Sequence, residues 1–350
     1  MSEGHTGPIA IAGAGVIGGF VGGLLAAAGG DVTLLGRAEA MEDLGRDGLR
    51  ITDLDGLDCR LSPSSFRAAS DPAVLSGCSL VLVTVKSAAT AEMAGLIAQH
   101  APPDTVVVSL QNGVANPRIL REALPGRTVL AGIVPYSVTR LAATHLHRGS
   151  NGRLLIQPGA PGLIERLSVP GLKAVEEPEI EALQWGKLLI NLNNALNALS
   201  GLPLRDELMM RGWRRLLAAQ IEEAQAALKI AHIQAKAPLP IPMALLPAML
   251  RLPTPIFGLL ARRMLPMDPK ARSSMWDDLQ RQRPTEIDAL QGEVLALAER
   301  YGLSAPVVSE VTALIRQAEA AKAGPPGLKP NQVIGFRNIL NERYRPQKKV

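Results

Sequence analysis

Two short segments of this chain carry residue types whose spacing could do chemistry. The first, Gly13-Ala14-Gly15-Val16-Ile17-Gly18, has the Gly-x-Gly-x-x-Gly spacing that lets backbone amides hold a pyrophosphate. The second, Trp185-Gly186-Lys187-Leu188-Leu189-Ile190-Asn191, places an amine and an amide one helical turn apart on the same face. Together they predict a nicotinamide cofactor at one wall of a cleft and a proton donor at the other.

The context of the glycine loop supports a dinucleotide site. The loop follows an apolar strand at residues 9–12 and opens a helix of small residues at about 17–28. In such a loop Gly13 permits the tight turn, Gly15 lets the backbone approach a diphosphate, and Gly18 lets the helix pack close to the strand. The sequence therefore predicts nucleotide binding at this loop.

Three further strand ends bear on the cofactor. An NAD-binding protein usually has Asp or Glu after its second strand, whereas this chain has Arg37, a charged fork suited to a 2′-phosphate. NADP(H) is therefore predicted; the alternative is a surface arginine without a ligand. The loops Val85-Lys86-Ser87 and Gln111-Asn112-Gly113 lie where open α/β sheets bind ligands, although Lys86 could be merely exposed and Asn112-Gly113 merely a turn.

The order of strand and helix patterns predicts two domains. Short apolar runs alternate with helical segments in the first half, which is typical of a parallel α/β sheet. The strands are expected at 9–12, 31–35, 80–85, 105–110, 129–135 and 152–157. After Pro178 the pattern becomes helical, with helices expected at 180–199, 212–233, 273–301 and 306–321. We expect a Rossmann-type dinucleotide-binding domain at 1–178, an all-helical substrate and catalytic domain at 179–324, and a basic tail at 325–350.

Composition is that of an ordinary globular protein. Of the 350 residues, 47% are hydrophobic and 20% charged, enough for two domains with their own cores. Cys59 and Cys78 cannot build a disulfide framework, which favours a cytoplasmic location. The net charge of +5 is diffuse, so neither nucleic acid nor a membrane surface is an expected partner. No metal site is expected either, although His145 and His147 would share one strand face.

An apolar stretch at 239–265 needs a separate interpretation. Its prolines and its arginines, which include Arg251, argue against a membrane span. It is typical of a broken helical insert that serves as a lid or an interface element.

The helical half carries further polar residues. Lys187 lies on an otherwise apolar helix and could simply extend its amine to solvent. Four asparagines follow within seven residues at a cost in helix stability that function could explain; they are Asn191, Asn193, Asn194 and Asn197. Glu286 could be merely a first-turn acid that favours the helix dipole.

Taken in order, these elements resemble the ketopantoate reductases (2-dehydropantoate 2-reductases). The resemblance covers residues 9 to about 320, and its elements keep a family-like spacing. They are the glycine loop, Arg37, Lys86, Gln111-Asn112-Gly113, Trp185-x-Lys187-Leu188-x-x-Asn191, Ser273-Ser274-Met275 and Thr285-Glu286-Ile287-Asp288.

The resemblance implies the NADPH-dependent reduction of the 2-keto group of ketopantoate to (R)-pantoate, a step of pantothenate and coenzyme A biosynthesis. It implies that Lys187 is the general acid and that Glu286, the second catalytic residue, contacts the nicotinamide-side ribose. Asn112 would contact cofactor and substrate, while Asn191 and Ser274 would hold the substrate's hydroxyl and carboxylate. The expected partners are a small keto acid and a second copy of the chain, although the sequence leaves the oligomeric state open.

Three departures from the family pattern fall on the substrate side. Ala195 stands where the family often has a second substrate asparagine, and Ser200-Gly201-Leu202-Pro203-Leu204 lacks another. The 239–265 insert has no counterpart in short members. A reductase of another keto acid on the same fold is therefore the alternative, and a non-catalytic NADP(H)-binding sensor is a second one. The sensor is disfavoured because Lys187 and Glu286 are both present.

Overall fold

The chain folds as two compact units, described here by a computed structural model for residues 7–237, 241–264 and 271–333. The first unit is Met1–Glu181 and the second is Ala182–Val350. The predicted fold class, a Rossmann-type α/β region followed by a helical one, is confirmed. No helix among the described residues is long and apolar enough to cross a membrane.

The first unit contains every strand that the described residues form. These are β1 (Ile9–Ala12), β2 (Val32–Leu35), β3 (Leu49–Asp53), β4 (Asp58–Leu61), β5 (Arg67–Ala69), β6 (Leu80–Val83), β7 (Val106–Ser109), β8 (Val129–Ile133), β9 (Val138–Ala142), β10 (His145–Arg148), β11 (Leu154–Ile156) and β12 (Ala174–Glu176). Its helices are α1 (Val16–Ala27), α2 (Ala38–Asp47), α3 (Thr90–His100), α4 (Asn116–Ala123) and α5 (Leu163–Leu167).

The main sheet has eight strands in the order β12-β11-β8-β7-β6-β1-β2-β5. All neighbours pair in parallel except β11, which runs antiparallel to β8. Alternate residues face opposite sides: Ile9 and Ile11 join the core under α1, whereas Ala10 and Ala12 join the core under α3 and α4. The carboxyl ends of β1, β2, β6 and β7 therefore meet at one edge, which places the loops after them side by side.

A second sheet, with strand order β4-β3-β10-β9, was not predicted from the sequence. It packs on α1, which is sandwiched between the two sheets. Glycines make this possible, since a Cβ on Gly22 would lie 2.6 Å from Ile11 of the main sheet and one on Gly23 would lie 2.5 Å from Ile51 of the small sheet. The Gly-Gly pairs of α1 therefore serve close packing on two faces.

One buried arginine ties the small sheet to α1. Arg148 pairs with Asp53 and donates to the carbonyl of Gly171 at 2.9 Å. Its guanidinium lies 5.6 Å from the ring centroids of both Phe20 and Tyr136. The cation is therefore paired and stacked rather than left alone in the core.

The described elements of the second unit are helical. They are α6 (Ile180–Asn191, which begins in the last two residues of the first unit), α7 (Asn193–Ser200), α8 (Leu204–Met209), α9 (Arg211–Ile230), α10 (Leu246–Leu250), α11 (Thr254–Met264), α12 (Ser274–Gln280), α13 (Glu293–Arg300) and α14 (Pro306–Ala321). A π-helical turn at Asp288–Gly292 leads into α13.

Two predicted helices are wrong as continuous elements. The one expected at 180–199 is divided at Leu192 into α6 and α7. The one expected at 273–301 stops after Gln280 and resumes beyond Glu286. Pro284 accounts for the second interruption, because proline disfavours helical backbone in the residue before it and has no amide to donate.

The insert predicted at 239–265 is a broken helical segment, as expected, and contains α10 and α11. Arg214 of α9 organises it: this fully buried side chain donates to the carbonyls of Leu250 and Leu252 and lies 4.2 Å from the ring centroid of Phe257. Residues 238–240, 265–270 and 334–350 lie outside the described residues, so the structure shows only the first part of the predicted tail.

Candidate active site

The glycine loop makes the tight turn that its sequence predicts. Gly13 has φ +107°, and its amide and that of Ala14 both donate to the carbonyl of Leu35, at 3.0 and 2.8 Å. A Cβ on Gly13 would lie 2.5 Å from the amide nitrogen of Val85. One on Gly18 would collide with the hydroxyl of Thr84. A larger residue at Gly13 would push the glycine loop away from the loop after β6, and one at Gly18 would push α1 away from the sheet.

The start of α1 has the features of a diphosphate cradle. Gly15, its N-cap, is exposed, and the first turn has neither a side-chain cap nor an acidic residue. A Cβ on Gly15 would have no heavy atom nearer than 3.9 Å, so the space above the loop is open. The amides of Val16, Ile17 and Gly18 belong to the turn whose N–H groups lack helical partners. These residues therefore fit an anionic dinucleotide.

Arg37 lies beside this cradle, at the N-cap of α2 and two residues after the Leu35 carbonyl that holds the glycine loop. Its side chain is exposed and forms no hydrogen bond or ion pair with the described part of the chain. The guanidinium is therefore available to a charged ligand.

The loops after β6 and β7 are joined by a buried polar network. The Asn116 amide donates to the carbonyl of Asn112 at 2.6 Å and to the hydroxyl of Ser87 at 3.0 Å. Gln111 donates to the hydroxyl of Thr90 at 2.7 Å, which in turn donates to Asn116 at 2.8 Å. The structure thus brings the loop of Asn112 against the loop that follows the exposed Lys86.

Sequence reasoning missed the roles of Asn116 and Thr90. Both are almost fully buried polar residues. Thr90 begins α3 and Asn116 begins α4. Short polar side chains are common at helix starts because they can accept from backbone amides that lack a helical partner. The one sequence signal for their role is that a short polar residue follows each of the two candidate loops, after Lys86 and after Asn112.

In the second unit, α6 presents Lys187 and Asn191 on one face. Both are half-buried, whereas their neighbours Trp185, Leu188 and Leu189 are buried and fix the helix. The backbone at Lys236 crosses α6 at Gly186: its amide donates to Ala182 at 2.9 Å, and a Cβ on Gly186 would overlap its carbonyl. Gly186 therefore has a steric reason to stand next to Lys187.

Glu286 belongs to the same unit and lies two residues before the π-helical turn. Its carbonyl accepts from the amides of Ala289 and Leu290 at 3.1 and 3.2 Å. The preceding Thr285 is held by Glu319 of α14, which accepts from its amide at 2.7 Å. Glu286 itself is half-buried. The carboxylate is thus on a segment anchored at both ends.

The surroundings of Lys187 make it a better proton donor than an ordinary lysine. Desolvation by the packed atoms around its amine lowers the pKa of Lys187 from 10.5 to about 8, and the Glu286 carboxylate opposes that shift. The ammonium form is therefore populated at neutral pH, yet it gives up its proton more readily than an exposed lysine would.

Ser273 and Ser274, at the start of α12, have different environments. Ser273 is buried: its hydroxyl accepts from the amide of Trp276 at 3.1 Å and donates to the carbonyl of Asn194 at 3.0 Å. Its own amide donates to Asn197 at 2.9 Å. Ser274 is exposed, and within the described residues its hydroxyl has no partner. The structure leaves Ser274, not Ser273, available to a ligand.

The four asparagines also divide into two pairs. Asn193 and Asn197 are buried and donate to one carboxylate oxygen of Glu207 at 3.3 and 2.9 Å. Asn191 and Asn194 are partly accessible. At two of the four asparagines, the cost in helix stability that function could explain is thus accounted for by a buried structural network.

That network predicts an unusual pH dependence of stability. Burial raises the pKa of Glu207 to about 8 from 4.5, although both asparagine amides oppose the shift. The folded state therefore keeps this proton over a pH range in which the unfolded state loses it. The resulting stabilisation is complete below pH 4.5 and is lost as the pH rises to 8, at about 1.4 kcal/mol per pH unit. Glu207→Gln should remove this slope and leave a protein that is more stable than the wild type at pH 8.

Urea unfolding at pH 5, 6.5 and 8 would check this result. Tryptophan fluorescence is the suitable probe, because all three tryptophans lie in the second unit with Glu207; they are Trp185, Trp213 and Trp276. Glu299→Gln, at an exposed carboxylate of α13 in the same unit, is the control and should change stability little at any pH. A difference between Glu207→Gln and wild type that did not vary with pH would contradict the assignment.

Other features lie away from these residues. A cavity of about 800 Å³ opens beside β5 and α2, lined by Asp31, Glu42 and Arg67 among others, and contains none of the predicted site residues. His145 and His147 share a face of β10, where both contact the hydroxyl of Thr52 at 3.0 and 2.8 Å. Among the described residues no group of three or more His, Cys, Asp or Glu side chains could hold a metal ion.

Comparison with known proteins gives this arrangement a family. Residues 9–161 match the family described as ketopantoate reductase PanE/ApbA, and residues 179–319 match its C-terminal domain. The chain belongs to the ketopantoate reductase family.

Individual relatives carry the same name. The chain is 26% identical over 320 residues to a 2-dehydropantoate 2-reductase of Halobacterium salinarum, with 89% of this chain and 98% of the relative covered. The Pyrococcus horikoshii enzyme of the same name is 28% identical over 322 residues, with 90% and 99% covered. The chain is therefore an oxidoreductase that acts on a CH–OH group.

Solved structures agree with this assignment. A PanE/ApbA family ketopantoate reductase from Ralstonia eutropha superposes with a TM-score of 0.78 at 28% identity, covering 90% of this chain and 99% of that one. A D-mandelate dehydrogenase solved with NADH and anilino(oxo)acetate has a TM-score of 0.76 at 21% identity, with the same coverage. That second likeness shows a shared fold alone.

Proposed function

We propose that this ketopantoate reductase family member reduces the 2-keto group of 2-dehydropantoate to (R)-pantoate with NADPH, in pantothenate and coenzyme A biosynthesis. The observation that carries the proposal is the environment of Lys187. Its amine lies on a buried helix, its pKa is about 8, and the Glu286 carboxylate is near enough to influence it. A lysine in this state can both polarise a ketone and protonate its oxygen.

The first unit holds the cofactor in this proposal. The amides at the start of α1 would bind the diphosphate, Arg37 the 2′-phosphate, and Lys86 and Asn112 the remainder. The bound nicotinamide supplies the hydride. The protein's own part is to hold that cofactor at the open cradle that Gly13, Gly15 and Gly18 create.

The second unit supplies the proton and the substrate contacts. Lys187 would donate to the carbonyl oxygen as it gains negative charge. Asn191, one turn later on the same face, and the exposed Ser274 would bind the substrate's hydroxyl and carboxylate. Glu286 would contact the nicotinamide-side ribose and also set the charge around Lys187.

A steady-state assay with a panel of keto acids tests the substrate. With NADPH, ketopantoate should give a kcat/KM at least tenfold above those of pyruvate, 2-ketoisovalerate and phenylglyoxylate. Lys229→Ala, at an exposed lysine of α9, is a suitable control variant and should rank the four keto acids as the wild type does. Equal use of several keto acids would contradict the specific substrate and leave the reductase chemistry in place.

Reduction of a different 2-keto acid is the second candidate. Ala195 on α7 has an apolar side chain and is fully buried, so it gives a substrate no polar contact at this position. The fold is also shared by an enzyme named D-mandelate dehydrogenase. If phenylglyoxylate were the best substrate in the panel, this candidate would replace the first.

We also propose a homodimer. A ketopantoate reductase from Staphylococcus aureus, which superposes with a TM-score of 0.66, is described as dimeric. Light scattering during size-exclusion chromatography should then give twice the mass of the 350-residue chain. A single-chain mass at micromolar concentration would contradict this.

A further inference from the structure

A fully buried glutamine connects the two segments that carry the chemistry of the second unit. The side-chain amide of Gln291 donates to the carbonyl of Leu192 at 3.0 Å and to Oε1 of Gln220, on α9, at 3.1 Å. Neither glutamine has any exposed surface. Leu192 is the residue that separates α6 from α7, so the amide reaches the joint that directly follows Asn191.

Both ends of this connection lie close to proposed site residues. Leu192 is five residues after Lys187, and its amide donates to Leu188 at 3.0 Å, so it moves with α6. Gln291 lies in the π-helical turn Asp288–Gly292, and the amide of Leu290, the residue before it, donates to the carbonyl of Glu286 at 3.2 Å. Since hydrogen-bonded helical turns are stiff, a bond from Gln291 to Leu192 fixes the Glu286 segment relative to the Lys187 helix.

Packing alone does not explain an amide at this position. Burial of a polar side chain costs free energy unless its hydrogen bonds are made, and an apolar residue of similar volume would fill the space without that cost. The π-helical turn is a further irregularity, because one residue more per turn than in an α-helix changes the direction in which Gln291 points. The buried amide and the π-helical turn are both explained if the hydrogen bond from Gln291 to Leu192 is needed to position the site residues.

We propose that Gln291 is a positioning residue that sets the separation of Glu286 and Lys187, and through it the readiness of the Lys187 ammonium to donate a proton. The proposal rests on the proposed role of Lys187 as general acid. It assigns no contact with substrate or cofactor to Gln291. Gln220 accepts a second hydrogen bond from the same amide and, among the described residues, has no hydrogen bond to the α6–α7 joint, so its loss should leave the bond to Leu192 in place.

The test measures the electrostatic coupling between Glu286 and Lys187 without using turnover. The pKa of Lys187 is obtained in the full chain from the pH dependence of its acetylation rate, followed by mass spectrometry. Because the Glu286 carboxylate raises the pKa of Lys187, Glu286→Gln should lower it. In a Gln291→Met background the same substitution should produce less than half of that change. In a Gln220→Met background, which removes an equally buried amide, the change should stay near its wild-type size.

Turnover gives a second readout. Gln291→Met should lower kcat with ketopantoate roughly 10- to 100-fold, as expected for a misplaced catalytic group, and leave the KM for NADPH within about twofold. Gln291→Leu, which also lacks the donor, should behave in the same way and serves if the methionine variant does not fold by tryptophan fluorescence.

The possible outcomes separate this proposal from the proposed function. Full coupling between Glu286 and Lys187 in the Gln291 variant, or an equal loss in the Gln220 variant, would overturn the positioning role. If the coupling depends on Gln291 but the wild-type chain reduces no keto acid, the positioning role stands and the proposed function fails.

Discussion

Lys187→Ala is expected to lose roughly 10²- to 10⁴-fold in kcat, because a positioned general acid contributes that much to rate. The variant should still bind NADPH, since the proposed phosphate-binding residues are all in the first unit. Lys187→Arg should not restore activity, because a guanidinium stays protonated at neutral pH and is a poor donor. Single-turnover rates with ketopantoate would measure the loss at the chemical step.

The pH profile of the wild-type enzyme provides an independent check. The donor must be protonated, and the pKa of Lys187 is about 8, so kcat for reduction should fall as the pH rises through that value. The descending limb should be absent in Lys187→Ala. Lys229→Ala, an exposed lysine on α9, is the matched control and should keep both full turnover and the wild-type profile. If Lys187→Ala retained more than about a tenth of wild-type turnover with chemistry rate-limiting, the proton would have to come from another group.

How much of the fold could be predicted depended on the burial of each strand. The parallel strands β1, β2, β6, β7 and β8 are covered on both faces, so they appear in the sequence as continuous apolar runs. The strands of the small sheet alternate polar and apolar residues, as in Leu49–Asp53 and His145–Arg148, and have no such signal. The small sheet packs on α1, which lies more than a hundred residues before β10, and no local pattern could show a contact of that range.

The site shows the same division. The glycine loop and the Lys187–Asn191 spacing are local, so their residue types and intervals could be recognised from the sequence. Gln291 could not, because its partner Leu192 is 99 residues away and a glutamine on a helix is ordinary. Asn193 and Asn197 misled the interpretation for a related reason: the carboxylate that explains them belongs to Glu207, on another helix.

Arg37→Ala should reduce the preference for NADPH over NADH roughly 10- to 150-fold, the worth of about one hydrogen bond to a charged group. The loss should appear mainly as a higher KM for NADPH, with the KM for NADH nearly unchanged, because only NADPH carries the 2′-phosphate. The structural reason is the position of Arg37: it lies two residues after Leu35, whose carbonyl accepts from the glycine loop. Its side chain is exposed and forms no ion pair with any described residue.

Two variants sharpen this expectation. Arg37→Lys retains the charge but not the planar fork, so it should lose only part of the preference. Arg60→Ala removes an equally positive, exposed side chain from the small sheet and should change neither KM, which separates a direct phosphate contact from a general loss of positive charge.

The salt dependence of the NADPH preference is a further check. Since screening by salt weakens exposed charge pairs, the NADPH preference of the wild type should also fall between 0.05 and 0.5 M NaCl, while that of Arg37→Ala should change much less. A wild-type enzyme that used NADH as efficiently as NADPH would show that Arg37 does not select the cofactor.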